Sequence, residues 1–151
     1  MSQTGVLIDI TSVDGTDFAA TVAQNAGLLA DLPARGLGPA TMSNIGIVRT
    51  LRIMSSAQHA WEVNFFSSDQ TTNADPNVDS FLGRYPFSLP DGVQIAAAGL
   101  FRYYVDSLQI PALDRDNTGE LHVVLVPRDA AKGAGETIRL AIGIEPMGAW
   151  G

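Results

Sequence analysis

Two histidines, His59 and His122, and sixteen carboxylates are the side chains of this sequence that could hold a metal ion or move a proton. An imidazole metal centre would need both histidines plus carboxylates, and a general base needs a partner that orients it. Neither histidine sits in a spacing motif. His59 closes the turn Ser55-Ser56-Ala57-Gln58-His59, and His122 lies in an apolar run two residues from Glu120, where the two would share a strand face. Structural or solvent-facing roles are expected for both. The string Asp114-Arg115-Asp116-Asn117-Thr118-Gly119-Glu120 starts like a calcium loop, with oxygen ligands at its first, third and fifth places and glycine at the sixth. The likeness fails at the twelfth place, where Leu125 stands instead of a bidentate glutamate, so an acidic turn is expected, with a weak surface cation site as the alternative. Lys132 precedes Gly133-Ala134-Gly135 where a phosphate loop needs its lysine to follow the glycines. Paired carboxylates of the glycosidase kind converge in space and not in sequence, and sixteen acidic residues make chance pairs easy. Cysteine is absent, which removes thiol nucleophiles, disulfides and zinc–thiolate sites. No catalytic, cofactor-binding or metal-ligating residue is assigned.

The elements that would position such groups show mainly a period of two, the signature of strands with one buried face. Val6 to Ile10 is a short run. Ile45, Ile47, Leu51 and Ile53 fall on one side of the next, and after the 55–59 turn Trp61, Val63 and Phe65 point inward, so 45–66 is expected to be a hairpin. Phe101, Tyr103 and Val105 oppose Arg102, Tyr104 and Asp106. LHVVLV at 121–126 alternates less cleanly, as a strand covered on both faces would. Ile138, Leu140, Ile142 and Ile144 oppose Arg139, Ala141, Gly143 and Glu145. A further strand is expected near Val93 to Ala97, and a short helical turn capped by Asp79 and running through Arg84. AAKGAGE at 130–136 reads as a flexible tip. The core is expected to include Ile47, Leu51, Ile53, Trp61, Val63, Phe65, Phe101, Val123, Leu125, Leu140 and Ile142. Phe66, Arg102 and Tyr104 are the candidates for a contact surface.

Together these runs predict one all-β domain over 1–151, an antiparallel β-sandwich of jelly-roll or Greek-key type. Residues 16–43 do not fit the pattern. Phe18, Val22, Ala26 and Leu29 have helical spacing, but Asn25 and Gly27 oppose it, and Pro33, Gly36, Gly38 and Pro39 forbid regular structure beyond. An irregular N-terminal arm or edge-lying extended segment is expected, with a helix as the alternative. The tail at 146–151 carries Met147 and Trp150, which are costly to leave in water and should dock on something.

Charge narrows the partners. Nine basic side chains, eight of them arginines spread singly along the sequence, stand against sixteen acidic ones, a net charge of −7. Nucleic-acid binding needs clustered positive charge, so it is not expected. No run approaches the ~18 apolar residues of a membrane span, and the N-terminal MSQTGVLIDITS carries no basic n-region and only a short apolar run, so neither membrane nor secretory routing is expected.

The order of IGIVRTLRIMSSAQHAWEVNFFSSD, then FRYYVDSLQIPALDRDNTGELHVVLVPRD, then a small-residue loop and a final strand resembles the small jelly-roll cement or decoration proteins of tailed-phage heads. The resemblance covers about residues 45–146 and rests on layout, not on a diagnostic motif. It implies a non-enzymatic virion protein, assembled in the host cytoplasm. Such a protein works as a homo-oligomer, a trimer, on the outside of the major capsid protein lattice. Its attachment would use 16–43, the C-terminal tail or both. Two alternatives stand beside it. A carbohydrate- or ligand-binding β-sandwich of a phage tail or fibre would leave Trp61 or Tyr104 facing water. A small cupin-like enzyme would need more histidines than the sequence has.

Overall fold

Alternating β-branched and aromatic residues drive ten strands in the computed structural model, which describes residues 8–11, 21–33, 45–68, 70, 79–96, 99–113, 120–133 and 135–146. The strands are β1 (Ile8–Thr11), β2 (Leu28–Pro33), β3 (Ile45–Ser55), β4 (Trp61–Phe66), β5 (Phe81–Pro86), β6 (Val93–Ala96), β7 (Leu100–Val105), β8 (Ile110–Leu113), β9 (Glu120–Pro127) and β10 (Ile138–Pro146). A 3-10 turn at Leu89–Asp91 leads into β6. The larger sheet has the order β1-β10-β3-β7-β6, with β8 also paired to β3, and the smaller has the order β2-β9-β4-β5. Every pairing is antiparallel.

The topology is that of one long ribbon folded back on itself. β1 pairs with β10, β2 with β9, β3 with β7 and β8, and β4 with β5, and successive pairs land alternately in the two sheets. That nested, rolled arrangement is a jelly roll, and it makes the predicted all-β sandwich the observed fold. Between the sheets lie Val48, Leu51, Ile53, Tyr103, Leu140, Ile142 and Ile144 from the larger one, facing Trp61, Val63, Phe65, Leu121, Val123 and Leu125 from the smaller.

Several local expectations need correction. Residues 45–66 are not a hairpin: β3 and β4 belong to opposite sheets, and the 56–60 turn carries the chain across the core. Alternation reports which face is buried, and both strands bury theirs in the same interior, so the pattern could not distinguish the two geometries. Ile47 is only half-buried and Val48 takes its place in the core. The cause is a β-bulge. β10 pairs Gly143 with Thr50 but Ile144 with Val48, so Arg49 is the extra residue and the inward parity of β3 changes there. Phe101 is also half-buried, packed against the core from its edge.

The bulge has a counterpart on the neighbouring edge. β7 pairs with Leu51–Ser55 and β8 with Ile45–Val48, and the break between them contains Ser107 at φ 59°. Leu108 N–H donates to the Arg49 carbonyl at 3.0 Å and Arg49 Nη1 donates to the Leu108 carbonyl at 3.3 Å, so the bulge and the break satisfy each other. Past the break the chain resumes as the short strand β8, which carries Pro111.

The expected turn of helix at 79–84 is strand β5 instead; Phe81 and Tyr85 favour strand, and Gly83 lies against Ile110, where an added Cβ would come within 3.0 Å of it. Part of 16–43 is also regular. β2 pairs along β9 at the edge of the smaller sheet, and Val22 forms a bridge with Lys132 and is buried in the core, so the extended reading holds for these residues and the helical one does not. Phe18, residues 34–43, the 114–119 loop and the tail at 147–151 lie outside the described residues.

Candidate binding face on the larger sheet

The strands of the larger sheet turn their second face outward, and the register sets out its side chains in rows. Arg139 on β10 lies opposite Met54 on β3, Met54 opposite Arg102 on β7, and Arg102 opposite Val93 on β6. In the next row Ala141, Arg52 and Tyr104 lie side by side. Strands sit about 4.8 Å apart, so Arg139 and Arg102 are separated by roughly 10 Å, with Arg52 one diagonal step of roughly 7–8 Å from each. All three arginines are exposed. Arg52 and Arg139 make no hydrogen bond or ion pair among the described residues, and the Arg102 guanidinium lies 5.0 Å from the centre of the Tyr104 ring. Glu145 is the one acidic side chain that β10, β3, β7 and β6 place on this side, and Arg49 neutralises it at 2.8 Å.

Exposed apolar groups gather at one edge of the same face. Among the described residues the large exposed hydrophobics are Leu89, Val93, Ile95 and Tyr104, all on β6, on the turn before it or on adjacent β7. Val93 is 60% exposed and Tyr104 49%. Isolated exposed leucines and valines are ordinary; their concentration at one sheet edge beside three arginines that form no ion pair among the described residues is not.

No protein-family model and no curated protein matches this chain. The site therefore rests on its own geometry. Tyr104 and Arg102, expected at a contact surface, are exposed on this face. Phe66 is not: it is fully buried on the outer side of the smaller sheet with Val124, Val126 and Phe81, which also explains why 121–126 is covered on both faces. Trp61 is likewise fully buried in the core.

The histidines are separated. His59 lies beside Trp61, which pairs with Pro127, whereas His122 lies five residues back along β9, roughly 16 Å away at ~3.3 Å per residue. Among the described residues no three His, Asp or Glu side chains are grouped to hold a metal ion. His59 is a tie. Its Nδ1 lies 3.1 Å from Asp129 Oδ1 and its Nε2 2.6 Å from Glu136 Oε1, so it joins the β3–β4 turn to the loop between β9 and β10. Glu136 in turn accepts from Gly133 N–H, and Lys132 is buried. The 130–136 segment, read as a flexible tip, is anchored at both ends.

Two carboxyls respond to these contacts. Burial alone would raise Asp129, but the Ala60 N–H at 2.8 Å and the His59 ring outweigh it and hold the acid below its usual range. Burial likewise opposes Glu62, and hydrogen bonds from Arg128 and Asn64 outweigh it in the same direction. A carboxyl depressed in the folded state contributes stability above its unfolded value that is lost as pH falls through the folded one. The urea midpoint should therefore change little between neutral pH and about pH 5 on account of these groups, and fall below about pH 4. Asp129→Asn should flatten that acid limb. An acid limb as steep in the variant as in the parent would show that Asp129 contributes nothing to it.

Proposed function

We propose that this protein is a non-enzymatic virion structural protein that decorates the outside of a tailed-phage head, working as a homo-oligomer, a trimer, on the major capsid protein lattice. The observation that carries this reading is a face of exposed arginines beside exposed apolar side chains on the larger sheet. A sandwich rolled from one ribbon presents three exposed arginines and an apolar edge on one face of the larger sheet, in a chain whose net charge is −7. Fold alone does not fix function, and jelly rolls serve capsids, lectins and enzymes alike, so the weight rests on the face and not on the architecture. Quantitative mass spectrometry of purified virions tests it. The protein is expected in copy numbers comparable with the capsid subunits, and its absence from the particles would end this reading.

A ligand-binding module of a tail or fibre is the second reading, favoured by the half-exposed Tyr104. Arg102 occupies a position over the Tyr104 ring, however, which leaves less of it free for the face-on stacking that sugar recognition uses.

A further inference from the structure

We propose that the arginine face of the larger sheet binds a second copy of this chain. This inference deepens the reading above by naming what the face meets. Set Arg52, Arg102 and Arg139 aside, and six basic side chains remain against sixteen acidic ones, so the rest of the molecule carries a net charge of −10. The face and the remainder of its own chain are therefore complementary. Distance decides whether that matters. The Debye length is about 8 Å at physiological ionic strength, so the bulk acidity of two approaching molecules is largely screened while charges brought into contact are not.

The chemistry of the face suits carboxylates. Arginine presents a planar fork that binds carboxylate with two parallel hydrogen bonds, and Arg52 and Arg139 have no partner among the described residues to give up first. Val93 and Tyr104 supply the apolar area that such contacts need around them, as the enrichment of arginine and tyrosine at binding hot spots reflects. A basic face meeting an acidic surface elsewhere on the next copy is a heterologous contact, which closes into a ring when the rotation allows. The trimer of the proposed function is one such ring. Nucleic acid fits less well, since it would lie against three cations on a molecule otherwise at −10.

The test is the mass of the full-length protein in solution by sedimentation at micromolar concentration. The parent is expected to sediment as a multiple of its 16.0 kDa chain and to dissociate as salt is raised. Arg102→Glu should weaken association by at least about tenfold, the loss of an ordinary interface hot spot. Arg84→Glu makes the same change of charge on the smaller sheet and should have less than a twofold effect. Val93→Ser changes no charge and should weaken association too; circular dichroism checks that each variant is folded. A monomeric parent, or equal effects of Arg102→Glu and Arg84→Glu, would overturn the proposal. A monomeric protein that is nonetheless abundant in virions would overturn this inference and the trimer of the proposed function while leaving decoration of the particle standing, and an arginine-dependent oligomer absent from virions would overturn only the virion role proposed above.

Discussion

Replacing Tyr103 by alanine is expected to destabilise the protein by about 3–5 kcal/mol, the usual cost of deleting a large buried aromatic. The side chain is fully buried on β7 and packs against Phe87 at 5.6 Å between ring centres. Its hydroxyl does a second task. It donates to the His59 carbonyl at 2.8 Å and accepts from the His59 N–H at 2.7 Å, so one phenol satisfies both backbone groups of a residue in the turn that crosses from the larger sheet to the smaller. Tyr103→Phe keeps the ring and removes only that clamp, leaving a buried N–H and C=O without their partner, a cost of about 1–3 kcal/mol. The site has no slack on its other side: a Cβ at Gly92 would fall 2.5 Å from Tyr103 Cζ, so Gly92→Ala should also destabilise. Urea denaturation of the variants checks the order. If Tyr103→Phe is as stable as the parent, the clamp contributes nothing and the packing account must stand alone.

Lys132 supplies the second large effect, read as chemical protection. It is the sole lysine of the sequence, 1% exposed, and its backbone is held by paired hydrogen bonds to Val22 of 2.8 and 3.1 Å. Nζ donates to the Gly133 carbonyl at 3.2 Å. Two influences on its reactivity oppose each other. Burial pushes its pKa down, partly offset by Glu136, and a larger neutral fraction favours attack on an acylating reagent. Burial also denies the reagent access until the loop opens. Access should dominate, because an opening free energy of about 3 kcal/mol already slows labelling by roughly 150-fold, more than a modest gain in neutral amine recovers. An amine-reactive ester is therefore expected to modify Lys132 at least about a hundredfold more slowly in native buffer than in urea, as followed by peptide mass spectrometry. Comparable rates in the two would mean that the 130–136 segment opens freely and that its ties to His59 and Val22 are weak.

What could be read in advance, and what could not, divides along physical lines. The buried sides of β4, β7 and β10 follow directly from alternation, since a pleated strand leaves no other way to hide Trp61, Tyr103 or Ile142. Strand partnership does not follow, because β3 and β4 bury their apolar sides in one interior whether they pair or cross. The Arg49 bulge left only a faint mark for a related reason: Ile45, Ile47, Leu51 and Ile53 keep one parity in sequence, interrupted by Arg49 alone, and the extra residue shifts that parity only in space. The candidate face shows both limits at once. Arg52, Arg102 and Arg139 were each legible as outward residues of their own strands, yet they look scattered in sequence, and only the register of β10, β3 and β7 gathers them. Lys132 and the His59 tie gave no local signal at all, since their partners come from distant loops.

The nested pairing of the ribbon also governs when the fold can exist. β1 can pair with β10 only after Ile138–Pro146 has been made, and β2 waits in the same way for β9. At about 5–20 residues per second, roughly 7–27 s of synthesis separate Ile8 from its partner Ile144. Through that interval the early strands have their apolar sides formed and their eventual neighbours missing, which is when a nascent chain is most exposed to mispairing. Even the finished chain must bring distant segments together before their contacts repay the entropy of closing such long loops, so its refolding belongs to the slow, millisecond-to-second class of β-sandwiches. Newly made copies thus spend longer as vulnerable intermediates than a helical protein of this length would, and crowding during rapid production raises the share that aggregates before it can roll up.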